Sequence, residues 1–81
     1  MVEVRVYSTP KCPFCEMTKE FLDEKGVEFV DIDVSADREA AREMISKSRN
    51  IALPQVEING KVIVGFNKEV IEEELAKYQS A

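Results

Sequence analysis

The sequence predicts an α/β domain with the element order β-α-β-α-β-β-α, in which a mixed sheet of four strands is flanked by three helices. Three observations predict it. Val2, Val4 and Val6 alternate with Glu3, Arg5 and Tyr7, the two-residue period of a strand. Beyond Pro13 the apolar residues recur at helical spacing instead. Asn59-Gly60 sits between two short β-branched runs, a strong local hairpin signal, because both turn positions favour residues that accept positive φ.

Each element follows in order. Ser8, Thr9 and Pro10 break the first strand. Cys12 then stands as a helix cap with Pro13 at the first helical position, where its missing N–H costs nothing. Phe14, Thr18, Phe21 and Leu22 define the buried face of that helix, and Gly26 ends it. Val27 to Val34 reads as a second strand, followed by the helix-start residues Ser35 and Asp37. Ala40, Ala41, Met44 and Ile45 mark the apolar side of a second helix, and the charges from Asp37 to Arg42 its exposed side. Asn50 to Pro54 is a loop; Gln55–Ile58 and Lys61–Val64 form the hairpin. Asn67 caps a last helix whose stripe is Val70, Ile71, Leu75 and Tyr78, with Glu72-Glu73-Glu74 as a solvated face and Gln79 to Ala81 as a fraying end. A β-α-β unit with parallel strands requires a right-handed crossover, and the hairpin then adds two antiparallel strands.

The 81 residues suffice for one small domain, covering 1–81. A domain of this size buries only about 60% of the surface that its unfolded chain exposes. The net charge of −5 supplies no basic stripe for phosphates, which argues against nucleic acid. No apolar run approaches the ~20 residues that span a bilayer, and Met1-Val2-Glu3-Val4-Arg5 lacks the layout of a secretory signal. The expectation is a soluble, cytoplasmic monomer with no membrane partner.

Two cysteines, Cys12 and Cys15, are the only ones in a chain that has no histidine. As a staple they would contribute little: closing a loop of about four residues gives roughly 2 kcal/mol, against about 3 for fifteen. Chemistry explains the pair better than stability. Residues three apart on a helix have Cα atoms about 5 Å from each other, inside the ~4.4–6.8 Å window for a disulfide. Cys12 begins the helix, where free N–H groups and the dipole favour a thiolate and Lys11 adds a positive charge. It is the expected nucleophile. Cys15, one turn in and shielded, is the expected resolving thiol. The competing reading is a metal half-site, which needs a dimer to bring four sulfurs around zinc or an iron–sulfur cluster.

With its dithiol at a strand-to-helix junction, the chain resembles a dithiol glutaredoxin of the thioredoxin-fold superfamily, over essentially its whole length. Cys12-Pro13-Phe14-Cys15 is similar to the family's Cys-Pro-Tyr-Cys, with Phe14 in the tyrosine's place. Ala52-Leu53-Pro54 resembles Thr-Val-Pro, whose proline is cis, and Gly65-Phe66 stands where a glycine-rich stretch precedes the last helix. The resemblance implies a thiol–disulfide oxidoreductase acting on protein or low-molecular-weight disulfides. It implies a substrate-binding set of Lys11, Pro13 and Phe14 beside the dithiol, Leu53 and Pro54 across from it, and Gly65, Phe66 and Asn67. Leu53 would pair through its backbone with the substrate strand. Phe14 and Phe66 are read equally as core residues or as exposed contacts near the dithiol, and Asn67 as a cap before a ligand group.

The departures bear on the electron donor. Glutathione-binding members carry a basic residue three positions before the first cysteine, where this chain has Thr9. They carry an acidic pair that receives the glutathione amino group, where this chain has Asn67-Lys68. The Gly-Phe pair is similar to carriers that serve ribonucleotide reductase and are recharged by thioredoxin reductase. No tightly bound cofactor is implied. A thioredoxin-reductase-type flavoenzyme is the favoured donor, and glutathione the other candidate. A carrier for ribonucleotide reductase and a non-catalytic iron–sulfur or zinc-binding dimer are the alternative functions.

Overall fold

Val4 and Val6 face one side of β1 (Val4–Ser8) and Tyr7 the other, and all three are buried. A strand buried on both faces belongs in the middle of a sheet. The computed structural model, which describes residues 3–79 but not the side chains of Tyr78 and Gln79, places β1 there. The other elements are α1 (Pro13–Glu24), β2 (Val30–Asp33), α2 (Arg38–Ser48), β3 (Gln55–Ile58), β4 (Lys61–Val64) and α3 (Lys68–Gln79). The sheet order is β2-β1-β3-β4. β1 pairs parallel with β2 and antiparallel with β3, and β3 pairs antiparallel with β4. This is the predicted element order and mixed sheet. The expectations for Val2, the Tyr78 side chain and the last residues fall outside the described residues.

Two clusters cover the two faces. Val4, Val6, Val56 and Ile58 pack against Leu22 of α1 and Ile71 and Leu75 of α3. On the opposite face Tyr7 packs with Ala40 and Met44 of α2, joined by half-buried Ile32, Val34 and Leu53. Ala40 and Met44, four residues apart, lie on one face of the helix; Ala41 is only half-buried and Ile45 is exposed, so the apolar side of α2 is narrower than predicted. Among the described residues no helix is long and apolar enough to cross a membrane.

Local chemistry explains the boundaries. At the end of α1 the Gly26 N–H donates to Asp23 O and the Val27 N–H to Leu22 O, each at 3.0 Å. With Gly26 at φ 71°, this is a Schellman closure, and Val27 adds its apolar contact with Leu22 in the same cluster. It also corrects the second strand. The Val27 N–H is spent on the helix end, so β2 begins only at Val30, while Val27 and Phe29 turn into the core. In the hairpin, Asn59 and Gly60 take φ 47° and 93° as their types allow. Glu74 departs from the expected solvated face: it is buried and bonded by Lys61 at 2.8 Å and Lys77 at 2.9 Å.

Beneath α2 a polar network crosses the sheet. The Tyr7 hydroxyl donates to Glu57 Oε1 at 3.0 Å, and Lys47 Nζ donates to the same oxygen at 2.8 Å. Burial pushes the Glu57 carboxyl up, but the bonds from Lys47 and Tyr7 outweigh it and hold the group below its ordinary value. A carboxyl lowered by folding contributes stability above its unfolded pKa of about 4.3 and loses it as pH falls through the folded value. Denaturation midpoints are therefore expected to drop between neutral pH and pH about 3. Glu57→Gln, already less stable at neutral pH, is expected to show a smaller drop.

Candidate active site

β1 delivers the chain to the site. After Ser8, Pro10 and Lys11 turn it, and Cys12 takes an extended conformation (φ −112°, ψ 107°) as the cap of α1, with Pro13 at the first helical position. Cys12 Sγ accepts the Cys15 backbone N–H at 3.2 Å, the bond that a capping side chain makes with a free N–H of the first turn. Cys12 is half-exposed; Cys15 is fully buried. Both are free thiols. Burial first, then the hydrogen bond with Cys12, pushes the Cys15 thiol up to about 11, while the Thr9 backbone and the Lys19 ammonium pull it the other way. The two sulfurs thus differ sharply in access.

Phe14 is 59% exposed, which corrects its assignment to the buried face of α1. The helix sets its inward side by Cys15, Thr18 and Leu22, and the Thr18 hydroxyl closes it by donating to Phe14 O at 2.8 Å. Lys11 and Pro13 are exposed beside Cys12.

The Leu53–Pro54 peptide bond is cis. The loop before it is built by hydrogen bonds: Gln55 Nε2 donates to Asn50 O and Ala52 O, both at 2.9 Å, and the Ala52 N–H donates to Asn50 Oδ1 at 2.8 Å. Pro54 is buried, and its carbonyl accepts the Gly65 N–H at 2.8 Å. That bond joins the Leu53–Pro54 segment to the Gly65-Phe66-Asn67 turn. Asn67 is a cap: its Oδ1 accepts the Val70 N–H at 3.3 Å and its carbonyl the Ile71 N–H at 3.0 Å. Phe66 is half-buried, with its ring edge-on to Phe21 at 6.1 Å. Lys68 Nζ lies 5.7 Å from the Phe21 ring centroid and 5.6 Å from that of Phe66, so a cation occupies this turn.

Sequence reasoning missed a polar cluster beside the dithiol. Lys19 Nζ lies 3.1 Å from both Asp31 Oδ2 on β2 and Glu16 Oε1 on α1, and the Ser8 hydroxyl donates to Asp31 Oδ1 at 2.8 Å. An open cleft of about 290 Å³ runs along it, bounded by Ser8, Thr9, Glu16, Lys19, Asp31 and Asp33. The spacing of Lys19, four residues after Cys15, was a usable signal. Asp31 was not, because only the parallel pairing of Val6 with Asp31 brings it alongside.

The chain and its fold are similar to known proteins. The Glutaredoxin family model matches residues 4–63. An uncharacterised glutaredoxin-like 8.6 kDa protein in a rubredoxin operon of Clostridium pasteurianum is 43% identical over 74 residues, spanning 91% of this chain and 99% of that one. The glutaredoxin of Archaeoglobus fulgidus superposes with a TM-score of 0.83 at 30% identity, covering 93% of this chain and 87% of its own. NrdH-redoxin of Escherichia coli, a glutaredoxin-like protein with a thioredoxin-like activity profile, superposes with a TM-score of 0.79 at 25% identity, covering 88% and 92%.

Proposed function

Because this chain belongs to the glutaredoxin family, we propose that it reduces protein disulfides by dithiol exchange, with Cys12 as nucleophile and Cys15 as resolving thiol. The observation that carries this reading is the asymmetry of the pair: one sulfur at the surface, capping a helix, and its partner fully buried one turn behind. The Cys12 thiolate attacks one sulfur of the substrate disulfide. That bond breaks, and one substrate sulfur leaves as a thiolate and takes a proton from solvent. Cys15 then loses its proton and attacks Cys12 Sγ. The mixed disulfide breaks and releases the second substrate thiol. The substrate has gained two electrons, and Cys12–Cys15 is now the disulfide. A donor must return two electrons before the next turnover.

We infer that the donor is a thioredoxin-reductase-type flavoenzyme. Three features support it. Thr9 offers no cation to a glutathione carboxylate. Asn67 has its side-chain oxygen committed to the α3 cap. Lys68 sets a cation on the Phe21 and Phe66 rings, where the family's acidic pair would otherwise receive the glutathione ammonium; like charges repel there. The thioredoxin-like profile of NrdH-redoxin points the same way. Such chemistry suits the cytoplasm, where thiols are held reduced. The test is disulfide reduction with NADPH and thioredoxin reductase, against glutathione with glutathione reductase. Faster turnover with the first is expected. Turnover with glutathione alone would overturn the assignment of donor.

A further inference from the structure

We propose that Lys19 is a positioning residue for the resolving step: its ammonium, drawn into the cleft beside Cys15 by Asp31 and Glu16, cancels their charge and stabilises the thiolate that Cys15 must form. The proposal rests on the dithiol exchange set out above and adds to it how the buried sulfur is made reactive.

The difficulty that Lys19 answers lies in the burial of Cys15. A fully buried thiol resists ionisation, since the charged form loses its hydration. Yet it is the thiolate that attacks. The groups facing this sulfur can be named element by element. Cys12 capping α1, Lys19 of α1 and the Thr9 backbone beyond β1 act on it directly; Glu16 of α1 and Asp31 of β2 hold Lys19, and with Ser8 and Asp33 they bound the adjoining cleft. The Thr9 backbone and Lys19 are the two that favour the charged form of Cys15. Lys19 is also the sole cation among the residues bounding the cleft, against three carboxylates.

Position makes the effect specific. Lys19 follows Cys15 by one helical turn, so the two side chains share a face of α1. The lysine is not free to swing into solvent: its side chain is only 19% exposed and is held at 3.1 Å by each of two carboxylates. Asp31 is itself oriented by the Ser8 hydroxyl at 2.8 Å. Thr9, whose backbone bonds Cys15, also borders the cleft that Lys19 enters.

The step balances without any further reactant. Cys15 S–H gives its proton to water. Its sulfur forms a bond to Cys12 Sγ, the bond from Cys12 Sγ to the substrate sulfur breaks, and the electron pair leaves with that sulfur. The departing thiolate takes up a proton from solvent.

Lys19 and Asp31 give a test that separates charge from architecture, because either substitution breaks the same ion pair. Lys19→Met removes the cation and leaves the carboxylates of the adjoining cleft uncompensated. Asp31→Asn removes an anion and leaves the cation. A structural role moves both variants in the same direction; an electrostatic role moves them in opposite directions.

The experiment uses an aromatic disulfide whose released thiolate is coloured, mixed with the reduced protein across a range of pH. The first release reports attack by Cys12 and the second reports attack by Cys15. In Lys19→Met the pH profile of the second release is expected to move up by about one unit. One unit lowers the thiolate fraction tenfold and raises its intrinsic nucleophilicity about threefold, so the rate at pH 7 falls about three- to fourfold. Lys19→Arg is expected to restore the profile, and Asp31→Asn to move it down, with the first release unchanged in all three. If the second-release profile stays put in Lys19→Met, or moves upward in both Lys19→Met and Asp31→Asn, the proposal is wrong while the dithiol mechanism stands. If the first release does not come from Cys12, it is the mechanism that fails.

Discussion

Turnover is expected to vanish in Cys12→Ser and to stop half-way in Cys15→Ser. A serine hydroxyl does not ionise at neutral pH and cannot form the covalent intermediate, so the first substitution removes the reaction's entry. The second keeps the exposed sulfur at the head of α1 and removes only its buried partner. Attack on a substrate disulfide then proceeds, but no internal thiol displaces the product. One substrate remains bound to each chain as a mixed disulfide, visible as an added mass under non-reducing conditions and released by external thiol. Serine is close to cysteine in size, so the fully buried position loses little packing. An adduct on Cys12→Ser, or none on Cys15→Ser, would reverse the roles of the two sulfurs.

Leu22→Ala is expected to cost about 2–5 kcal/mol of stability, the range for removing a buried leucine and leaving a cavity. Domains of this kind have only about 5–15 kcal/mol in total, and this one, being small, buries a smaller share of its surface than a larger domain does. Leu22 is fully buried and packs where α1, α3 and the sheet meet, against Val4, Val6, Ile58, Ile71 and Leu75. It also accepts the Val27 N–H that closes α1. The same helix presents the dithiol at its other end, so unfolding by this route removes activity in step with the folded fraction. Phe14→Ala makes the control: that ring lies on the same helix but is exposed, and its removal is expected to change stability by no more than about 0.5 kcal/mol. Denaturant titration of the two variants checks both numbers.

The contrast between Leu22 and Phe14 also marks how far a sequence of this kind can be read. Local signals with a single physical solution were legible. Asn59-Gly60 had to be a tight turn, Cys12-Pro13 had to open a helix, and Gly26 had to close one, because few other residues tolerate those backbone positions. The alternation of valines in β1 gave one of its faces. It did not give the other, because Tyr7 reads as an outward residue until α2 is placed over it. The start of β2 was misread for a similar reason: Val27 and Phe29 look like strand residues, yet the N–H of Val27 serves the helix before it. At the end of α2, Arg49 takes a left-handed conformation (φ 56°), which neither its type nor its neighbours signalled.

In the site, the two cysteines stood out because their chemistry is rare, and the cis proline because Leu53-Pro54 resembles the family's segment. The polar partners did not. Lys19 with Asp31, Tyr7 with Glu57, and Gln55 with the Asn50–Ala52 loop depend on strand register or on the path of a loop, and each residue alone reads as an ordinary surface group. Charge runs misled in the same way: Glu74 follows two exposed glutamates, Glu72 and Glu73, but turns inward to Lys61 and Lys77.

Whether reactivity truly divides between one accessible and one sequestered sulfur can be read by alkylating the reduced protein over a pH series and resolving the label at each cysteine by mass. At pH 7 the early label should sit on Cys12, and Cys15 should take up label only as the pH climbs toward its thiol value of about 11. Labelling of Cys15 at pH 7 as fast as Cys12, or faster, would contradict the account.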